Sequence, residues 1–239
     1  MKYIYGPLNS RRLGLSLGIT LVPHKTCSFD CVYCQLGKTR EKTKERKEYI
    51  AIEEILNELR LWLQNNSPEA KKINYITLSG SGEPTLNIKI GQLITEIKRL
   101  TSLPVAVITN SSLLADSAIR REIGNADLIV PSLDAVTGDC FEKVDRPHSQ
   151  IKIEDIIEGL VNLRKEFRGK IWLEVMLARG LNDDLRHIKR LKAVIDRVNP
   201  DKIHLNSPVR VTSEENISCV DNKKLNKIKE ILGDKCQII

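Results

Sequence analysis

The chain has 239 residues, enough to bury a hydrophobic core in one large domain or two small ones. Apolar residues make up 41% and charged residues 29%, and the 13 Gly and 9 Pro are too few for a disordered, collagen-like or low-complexity chain. The net charge of +7 permits an anionic partner, but 4% aromatic residues is low for the stacking platforms that bind single-stranded nucleic acids.

The sequence predicts no targeting or membrane-spanning segment. No run approaches the roughly 18 apolar residues that cross a bilayer, and Met1-Lys2-Tyr3-Ile4-Tyr5-Gly6-Pro7 lacks the apolar stretch of a signal peptide. We therefore expect a cytoplasmic protein without a membrane partner. Six cysteines in such a chain indicate metal or redox chemistry rather than a disulfide framework.

Six short β-rich runs with little internal alternation recur along the chain, which is typical of parallel strands buried on both faces. The predicted strands are Leu17–Val22, Asn74–Ser79, Val105–Asn110, Asp127–Ser132, Ile171–Met176 and Lys202–Asn206. Apolar residues at helical spacing predict helices between them, at 52–63, 90–97 and near 113–124, 152–168, 184–198 and 221–232.

This alternation predicts an α/β fold, a partial (βα)6 TIM-like barrel with parallel strands and outer helices. A doubly wound open sheet would give the same alternation, so both layouts stay open. No linker interrupts the pattern, and we expect a single domain over 1–239 with an N-terminal extension (1–15) before the first strand.

Both layouts place a functional site at the carboxyl ends of the strands. Two connections are longer than most loops of α/β proteins, from Pro23 to about Tyr49 and from Asp134 to about Ile151. Long loops in this position are more often functional than not, so we expect the site to draw on both.

The first long connection carries Cys27, Cys31 and Cys34 in a C-x3-C-x2-C arrangement. Thiolates at this spacing can converge on one centre and select zinc, copper(I) or an iron-sulfur cluster. A cluster held by three cysteines has one iron without a protein ligand, which can bind a substrate or cofactor. A structural Cys3His zinc site with His24 as fourth ligand is the alternative, and the spacing alone leaves both open.

This loop follows the first strand directly and has Tyr33 just before its last cysteine, and in these respects it resembles the signature of the radical S-adenosylmethionine (radical SAM) superfamily. The resemblance implies a 4Fe-4S cluster on Cys27, Cys31 and Cys34, with S-adenosylmethionine as the second cofactor. It implies an oxygen-sensitive enzyme in which one electron splits S-adenosylmethionine into methionine and a 5'-deoxyadenosyl radical. The radical then takes a hydrogen atom from the substrate.

The resemblance also assigns residues to S-adenosylmethionine. Gly80, Ser81, Gly82 and Glu83 stand at the superfamily's Gly-Gly-Glu position, which receives the ammonium group of the cofactor, although Ser81 departs from the usual first glycine. The other predicted cofactor contacts are Tyr33, Asn110, Ser132, Asp134, Glu174 and Asn206. Helix capping is an alternative role for the asparagine, serine and aspartate at the strand ends, and pairing with Lys or Arg is an alternative for Glu174.

Two further segments, Tyr5-Gly6-Pro7-Leu8-Asn9-Ser10-Arg11-Arg12-Leu13-Gly14-Leu15-Ser16-Leu17-Gly18 and Leu205-Asn206-Ser207-Pro208-Val209-Arg210, resemble compact prokaryotic iron-sulfur oxidoreductases labelled as wyosine-synthetase relatives. The wyosine enzymes carry a second cluster on upstream cysteines, and this chain has no cysteine before Cys27. The label suggests a tRNA base as substrate, whereas the compact barrel favours a small molecule. The remaining alternatives are a glycyl-radical-enzyme activase, an enzyme modifying peptides or small metabolites, and a zinc-binding structural protein.

Several other residues have both functional and ordinary interpretations. The basic run 38–47 could steer an acidic electron donor, a flavodoxin or ferredoxin, or could be solvated surface. Arg11 and Arg12 could neutralise a phosphate, a carboxylate or the cluster, or form surface ion pairs. Cys140 is the candidate catalytic residue, because a thiol in the second long connection could quench or relay a substrate radical. We expect ordinary thiols at Cys219 and Cys236, and a monomer.

Overall fold

A computed structural model describes residues 1–239. Its ten strands are β1 (Ile4–Ser10), β2 (Gly14–Thr20), β3 (Thr26–Cys27), β4 (Glu41–Lys42), β5 (Tyr75–Ser79), β6 (Val105–Thr109), β7 (Leu128–Pro131), β8 (Lys170–Met176), β9 (Lys202–Asn206) and β10 (Cys236–Ile238). Eight of them form one sheet in the order β1-β2-β5-β6-β7-β8-β9-β10, and β3 pairs with β4 apart from it. All neighbours in the large sheet are parallel except β1, which runs antiparallel to β2.

The helices form where apolar residues repeat at helical spacing. They are α1 (Ile52–Asn65), α2 (Ser67–Ala70), α3 (Ile90–Leu100), α4 (Ser117–Ile123), α5 (Gly138–Val144), α6 (Ile153–Glu166), α7 (Leu185–Val198) and α8 (Asn222–Leu232). The fully buried stripe of α3 consists of Ile90, Leu93, Ile94 and Ile97. At the start of α7, the Asp184 carboxylate accepts hydrogen bonds from two backbone N–H groups and caps the helix. None of these helices combines the length and the apolar character needed to cross a membrane.

The two faces of the large sheet are covered differently. The outer face packs against the helices in a cluster of 48 buried residues, to which every helix except α2 contributes. A smaller cluster on the inner face comes only from strands and the β1–β2 turn, and its members are Leu13, Ala106, Leu128, Val130 and Trp172. Because the helices lie on one face, the sheet is a partial barrel rather than a doubly wound sheet. The predicted fold class is therefore confirmed.

The edges of the sheet approach each other on the open side of this barrel. Arg11, in the turn between β1 and β2, donates a hydrogen bond from Nη1 to the backbone oxygen of Ile239, just beyond β10, at 3.0 Å. Its Nη2 lies 3.5 Å from Oδ1 of Asn206 at the end of β9. The β1–β2 turn thus spans the gap that the seven parallel strands leave open.

The sequence pattern missed four strands and misplaced the first predicted one. That strand runs from Gly14 to Thr20 rather than over Leu17–Val22, because Leu21 and Val22 are buried without pairing in the sheet. The edge strand β1 is half-exposed and contains a proline, so it lacks the apolar run by which the inner strands were recognised. The other missed strands, β3, β4 and β10, have two or three residues each, too few to show a pattern.

Candidate functional site

The cysteine loop is fixed to the carboxyl ends of the strands by backbone and ring contacts. Lys25 N donates to Ser81 O at 2.6 Å, and Glu83 N donates to Thr26 O at 3.2 Å, so the loop is bonded to the turn after β5. On its other side the ring of Phe29 meets that of Phe141 in α5 edge-on, with centroids 5.3 Å apart. Both long connections therefore meet at this site, as the sequence predicts.

Each of the three cysteines has a different polar neighbour. Asn110 Nδ2 lies 3.5 Å from Cys27 Sγ, and Lys25 Nζ lies 3.1 Å from Cys34 Sγ. The Cys31 thiol donates to Asp145 Oδ1 at 3.6 Å. In this arrangement no three His, Cys, Asp or Glu side chains form a preformed metal site. The ligand roles of the three cysteines stay a prediction.

Burial keeps at least two of these thiols protonated in the absence of a metal. It raises the pKa of Cys27 to about 12 and the pKa of Cys31 well above the ordinary value, and nearby carboxylates act in the same direction. Metal binding at these thiols must therefore release protons. His24, the fourth ligand of the zinc alternative, is exposed, whereas its neighbour Lys25 is buried at Cys34. The chemistry of three thiols with an adjacent cation fits a three-cysteine cluster better than a Cys3His zinc site.

The turn from Gly80 to Glu83 lies against the cysteine loop and has little free space. Gly80 has a φ of +98°, which favours glycine, and a Cβ on Gly82 would lie 1.8 Å from Thr26 O. Ser81 N donates to Thr20 Oγ1 at 3.2 Å, which connects the turn to the end of β2. The two glycines thus allow the turn and the loop to approach backbone to backbone.

Glu83 is buried and fully hydrogen-bonded within the chain. Its Oε1 accepts from Thr85 N at 3.1 Å, from Thr85 Oγ1 at 2.6 Å and from Thr109 Oγ1 at 2.7 Å. Its Oε2 accepts from Asn110 N at 2.7 Å. Burial raises the pKa of Glu83, and these hydrogen bonds oppose that shift. Glu83 therefore connects the ends of β5 and β6, a structural role beyond its predicted contact with S-adenosylmethionine.

Asn110 and Ser132 lie at the carboxyl ends of β6 and β7, as predicted. Asn110 Nδ2 donates to Ser28 Oγ at 2.9 Å, and Ser28 Oγ lies 2.6 Å from Ser112 Oγ, so this asparagine holds the cysteine loop to β6. Ser132 accepts at its backbone oxygen from Ser111 Oγ at 2.7 Å, and its own hydroxyl is half-buried. Both residues border the loop from the side of the barrel.

A buried group of acidic residues beside the loop was not predicted as a unit. The Tyr33 hydroxyl donates to Asp134 Oδ2 and lies 3.4 Å from Asp145 Oδ1, while Met176 N donates to Asp134 Oδ1 at 2.7 Å. Burial raises the pKa of Asp134 to about 7 and that of Asp145 well above its ordinary value. Both carboxyls contact the Tyr33 hydroxyl, and neighbouring buried carboxyls favour sharing a proton. The only sequence feature that indicated a role for Asp145 was its position in the second long connection.

The side chains of Glu174 on β8 and Asn206 on β9 contact each other, and Glu174 also contacts Arg12. Glu174 is buried and forms a salt bridge with Arg12, and Asn206 Nδ2 lies 3.4 Å from Glu174 Oε1. Arg12 thereby satisfies the need of the buried carboxylate for a partner, which the sequence left open between an Arg or Lys and the cofactor. The arginine, which sequence reasoning did not assign to any partner, belongs to the site.

The thiol of Cys140 lies away from the other three cysteines. It is half-buried on α5, with Sγ 3.9 Å from His187 Nε2 and 3.9 Å from Leu181 O. Burial raises its pKa to about 12. A thiol that quenches a radical donates the hydrogen atom of its S–H bond, so a protonated Cys140 is compatible with that role. The catalytic role of Cys140 stays a prediction. Cys219 is exposed and Cys236 is buried.

Comparison with known proteins defines the class to which this site belongs. Residues 21–191 match the Radical SAM superfamily, and the chain belongs to it. The chain is therefore an enzyme of a superfamily that uses a 4Fe-4S cluster and S-adenosylmethionine and whose members generally need a reductant.

The relatives place the chain in one group within that superfamily. It is 36% identical over 236 residues to a UPF0026 protein of Methanocaldococcus jannaschii, covering 98% of this chain and 72% of that protein, and it belongs to the UPF0026 proteins. It is 40% identical over 237 residues to a Brachyspira hyodysenteriae protein named GTPase Obg, covering 99% of this chain but only 34% of that protein. A structure of TYW1 with a lysine-pyruvate adduct bound has the same fold, with a TM-score of 0.64 and 21% identity over 91% of this chain and 72% of that one. This likeness is consistent with the wyosine-synthetase resemblance.

Proposed function

We propose that this protein is a radical SAM enzyme in which Cys27, Cys31 and Cys34 bind the cluster. When bound, the reduced cluster supplies the electron that splits S-adenosylmethionine into methionine and a 5'-deoxyadenosyl radical, which abstracts hydrogen from the substrate. The observation that supports this most is the attachment of the cysteine loop to the turn that ends in Glu83, at the carboxyl ends of the strands. Backbone hydrogen bonds there join the loop that carries the three cysteines to the turn that is predicted to bind S-adenosylmethionine.

The proposed contacts with S-adenosylmethionine lie around the same loop. Gly80, Ser81, Gly82 and Glu83 form the turn beneath it, and we assign the ammonium group of S-adenosylmethionine to this turn. The remaining proposed contacts are Tyr33, Asn110, Ser132, Asp134, Glu174 and Asn206. Several of these side chains already make hydrogen bonds within the protein: Tyr33 to Asp134, Asn110 to Ser28, and Glu174 to Arg12 and Asn206. Cofactor binding would exchange some of these hydrogen bonds for contacts to the nucleotide.

Apolar side chains help to exclude water from the reaction. Phe29, Val32 and Phe141 are each less than 5% exposed around the loop. A dry surrounding protects a reactive radical from side reactions with solvent. We assign this protective role to the packing between the cysteine loop and α5.

The electron donor that we propose is an acidic protein, a flavodoxin or a ferredoxin. The run 38–47 follows the cysteine loop directly, and Lys38, Arg40, Lys42 and Lys44 are exposed. Of these, only Lys38 lies within 4.0 Å of a carboxylate, that of Glu214 at 3.7 Å. A surface with this charge, close to the cluster ligands, attracts an acidic partner.

A tRNA base, suggested by the wyosine label, remains one candidate substrate.

The function is tested on anaerobically purified protein. We expect a brown protein that contains iron and sulfide and that, once reduced, releases 5'-deoxyadenosine from S-adenosylmethionine. Cys27→Ala, Cys31→Ala and Cys34→Ala should each abolish both properties, whereas Cys219→Ala, at an exposed cysteine outside the loop, should keep both. A colourless protein with one zinc that His24→Ala releases would support the structural alternative. Full activity in any of the three loop variants would also overturn the proposal.

A further inference from the structure

A cavity of about 350 Å³ lies inside the barrel, between the β1–β2 turn and the inner face of the sheet. Its volume falls in the range of small-molecule sites. The sheet contributes hydroxyl groups, among them Ser16, Thr77 and Ser79, and β1 contributes Tyr5. Tyr5 OH lies 2.7 Å from Ser79 Oγ, and Ser16 Oγ lies 2.5 Å from Thr77 Oγ1. This wall can bond to a polar, hydroxyl-bearing molecule.

The charged residues that line this cavity are all arginines. Arg11, Arg12 and Arg210 contribute to its wall, and no aspartate or glutamate does. Arg12 is neutralised by its salt bridge with Glu174. Neither Arg11 nor Arg210 forms a salt bridge with an acidic side chain. Arg11 donates from Nη1 to the main-chain oxygen of Ile239 and lies with Nη2 3.5 Å from Asn206 Oδ1, and Arg210 donates to Gln35 Oε1 at 3.3 Å. The cavity thus has two guanidinium groups without a side-chain carboxylate partner.

The cavity also borders the proposed reaction centre. Gln35 lines it and directly follows Cys34 in the chain, and Ser79 lines it and directly precedes Gly80. A molecule in the cavity would therefore lie next to both the cluster loop and the turn assigned to S-adenosylmethionine. This is the placement that hydrogen abstraction from a bound substrate requires.

The two segments with the closer family resemblance meet here. Residues 5–18 contribute the β1–β2 turn with Arg11, and the segment after β9 contributes Arg210, although nearly 200 residues separate them. Neither segment belongs to the cysteine loop or to the turn that ends in Glu83. Because both segments contribute to one positively charged cavity, we infer that they bind the same ligand.

We propose that this cavity binds the substrate, and that the substrate is a small hydroxyl-bearing molecule with a phosphate or carboxylate group held by Arg11 and Arg210. Guanidinium groups bind both oxyanions in bidentate fashion with charge-assisted hydrogen bonds. The hydroxyl-lined wall of β2 and β5 receives the body of the molecule. This inference rests on the proposed function, since it assigns the substrate of the same reaction centre.

The test compares ligands that share one body and differ in charge. Ribose 5-phosphate, ribonate and ribose are titrated calorimetrically into anaerobic, cluster-loaded enzyme saturated with S-adenosylmethionine, so that the heat does not come from the cofactor site. We expect binding of the phosphate, the carboxylate or both, and none of ribose. Arg11→Gln and Arg210→Gln should each raise the dissociation constant of the anion by about tenfold or more. Arg11→Lys should recover part of the loss, and Arg60→Gln, at an exposed arginine on α1, should bind like wild type.

Three results would overturn this inference. One is binding of ribose as tight as that of the anions, another is wild-type affinity in both glutamine variants, and the third is failure of both anions to bind. An RNA that binds only when Arg11 and Arg210 are intact, without binding of either anion, would assign the cavity to a macromolecule instead. Release of 5'-deoxyadenosine by reduced wild-type enzyme is measured separately. Its absence would count against the proposed function, whereas the titrations test the cavity.

Discussion

Arg12 and Glu174 form a salt bridge inside the barrel, although 162 positions separate them in the chain. Arg12 comes from the turn between the antiparallel β1 and β2, and Glu174 comes from the inner face of β8. The glutamate side chain is 7% exposed and the arginine side chain 26%. The pair connects the N-terminal hairpin to the far side of the sheet, next to the cavity that we assign to the substrate.

Breaking this pair from one side should destabilise the protein strongly. In Arg12→Gln the buried Glu174 carboxylate loses its counter-ion, which costs about 3–5 kcal/mol in buried pairs. The free energy of unfolding, measured by urea denaturation, should fall by that amount. The double variant Arg12→Met/Glu174→Leu should recover most of it, because no unpaired charge remains. Lys192→Gln, which breaks the Lys192–Asp196 pair on α7, should cost less than about 1 kcal/mol, because the carboxylate of that pair is 61% exposed. Equal losses at the two sites would contradict the prediction.

His204 should make the stability depend on pH. It is 2% exposed on the inner face of β9, its Nδ1 has no hydrogen-bond partner, and its ring centroid lies 5.4 Å from that of Trp172. Burial lowers its pKa below 6.5, Arg12 and Lys202 act in the same direction, and Glu174 opposes them. The unfolded chain then takes up a proton near pH 6.5 that the folded protein takes up only at lower pH. The contribution of His204 to the free energy of unfolding is fully present above pH 6.5 and is lost as the pH drops towards the lowered pKa.

His204→Phe should remove this part of the pH dependence. The free energy of unfolding, measured at pH 7.5, 6.5 and 5.5, should decrease less steeply with falling pH in the variant. The two slopes should differ by at most about 1.4 kcal/mol per pH unit, the limit for one proton. His24→Phe, at an exposed histidine, is the matched control and should follow the wild-type curve. A variant at position 204 that follows the wild-type curve would show that His204 does not cause the decrease.

The sequence identified the elements that pack against the core and missed those at the edges of the sheet. Strand β9 has the predicted bounds, Lys202–Asn206, and α7 begins and ends within one residue of its prediction. Both carry an apolar pattern that only one secondary structure satisfies. Strand β1 is held at the edge by pairing with β2 and by Glu58 of α1, which accepts from the backbone N of Tyr3 at 3.0 Å. Such tertiary contacts have no local signal.

The same distinction applies to the site. The three loop cysteines and Glu83 could be predicted as site residues because their spacing and neighbours carry a pattern within a few residues. The sequence did not pair Glu174 with Arg12 or Tyr33 with Asp145. The two residues of each pair lie more than 100 positions apart and come close only in the folded barrel. The cavity arginines were noticed as charges, but their meeting at one cavity depends on where the β1–β2 turn crosses the sheet.

Gly82→Ala should separate the cysteine loop from the turn beneath it. The added Cβ would lie 1.8 Å from Thr26 O, a backbone atom that cannot rotate away. We expect a loss of about 2–3 kcal/mol in unfolding free energy, typical of overpacking, and a lower iron content after anaerobic reconstitution. Gly138→Ala, at the start of α5, introduces a Cβ with nothing within 4 Å and should change neither property. Normal iron content in Gly82→Ala would show that the loop does not need this close contact.

Lys25 should raise the reduction potential of a cluster on the loop cysteines. It is 3% exposed, and its Nζ lies 3.1 Å from Cys34 Sγ, where a positive charge favours the more negative, reduced state. Lys25→Met removes the charge and keeps most of the side-chain volume. The midpoint potential should become more negative by on the order of 100 mV, the size expected for a unit charge at about 5 Å with an effective dielectric constant near 20. Redox titration of the reconstituted protein, followed by electron paramagnetic resonance, measures this shift without reference to turnover.

The control for this prediction is Lys42→Met, in the same connection. Lys42 is exposed and its Nζ bonds to the backbone oxygen of Arg146 at 3.3 Å, so solvent screens its charge from the cysteines. Removing the charge of Lys42 should change the midpoint potential by only a small fraction of the shift in Lys25→Met. Equal shifts in both variants would mean that the potential responds to the net charge of the loop. An unchanged potential in Lys25→Met, with full iron content, would mean that Nζ does not interact with Cys34 once the cluster is bound.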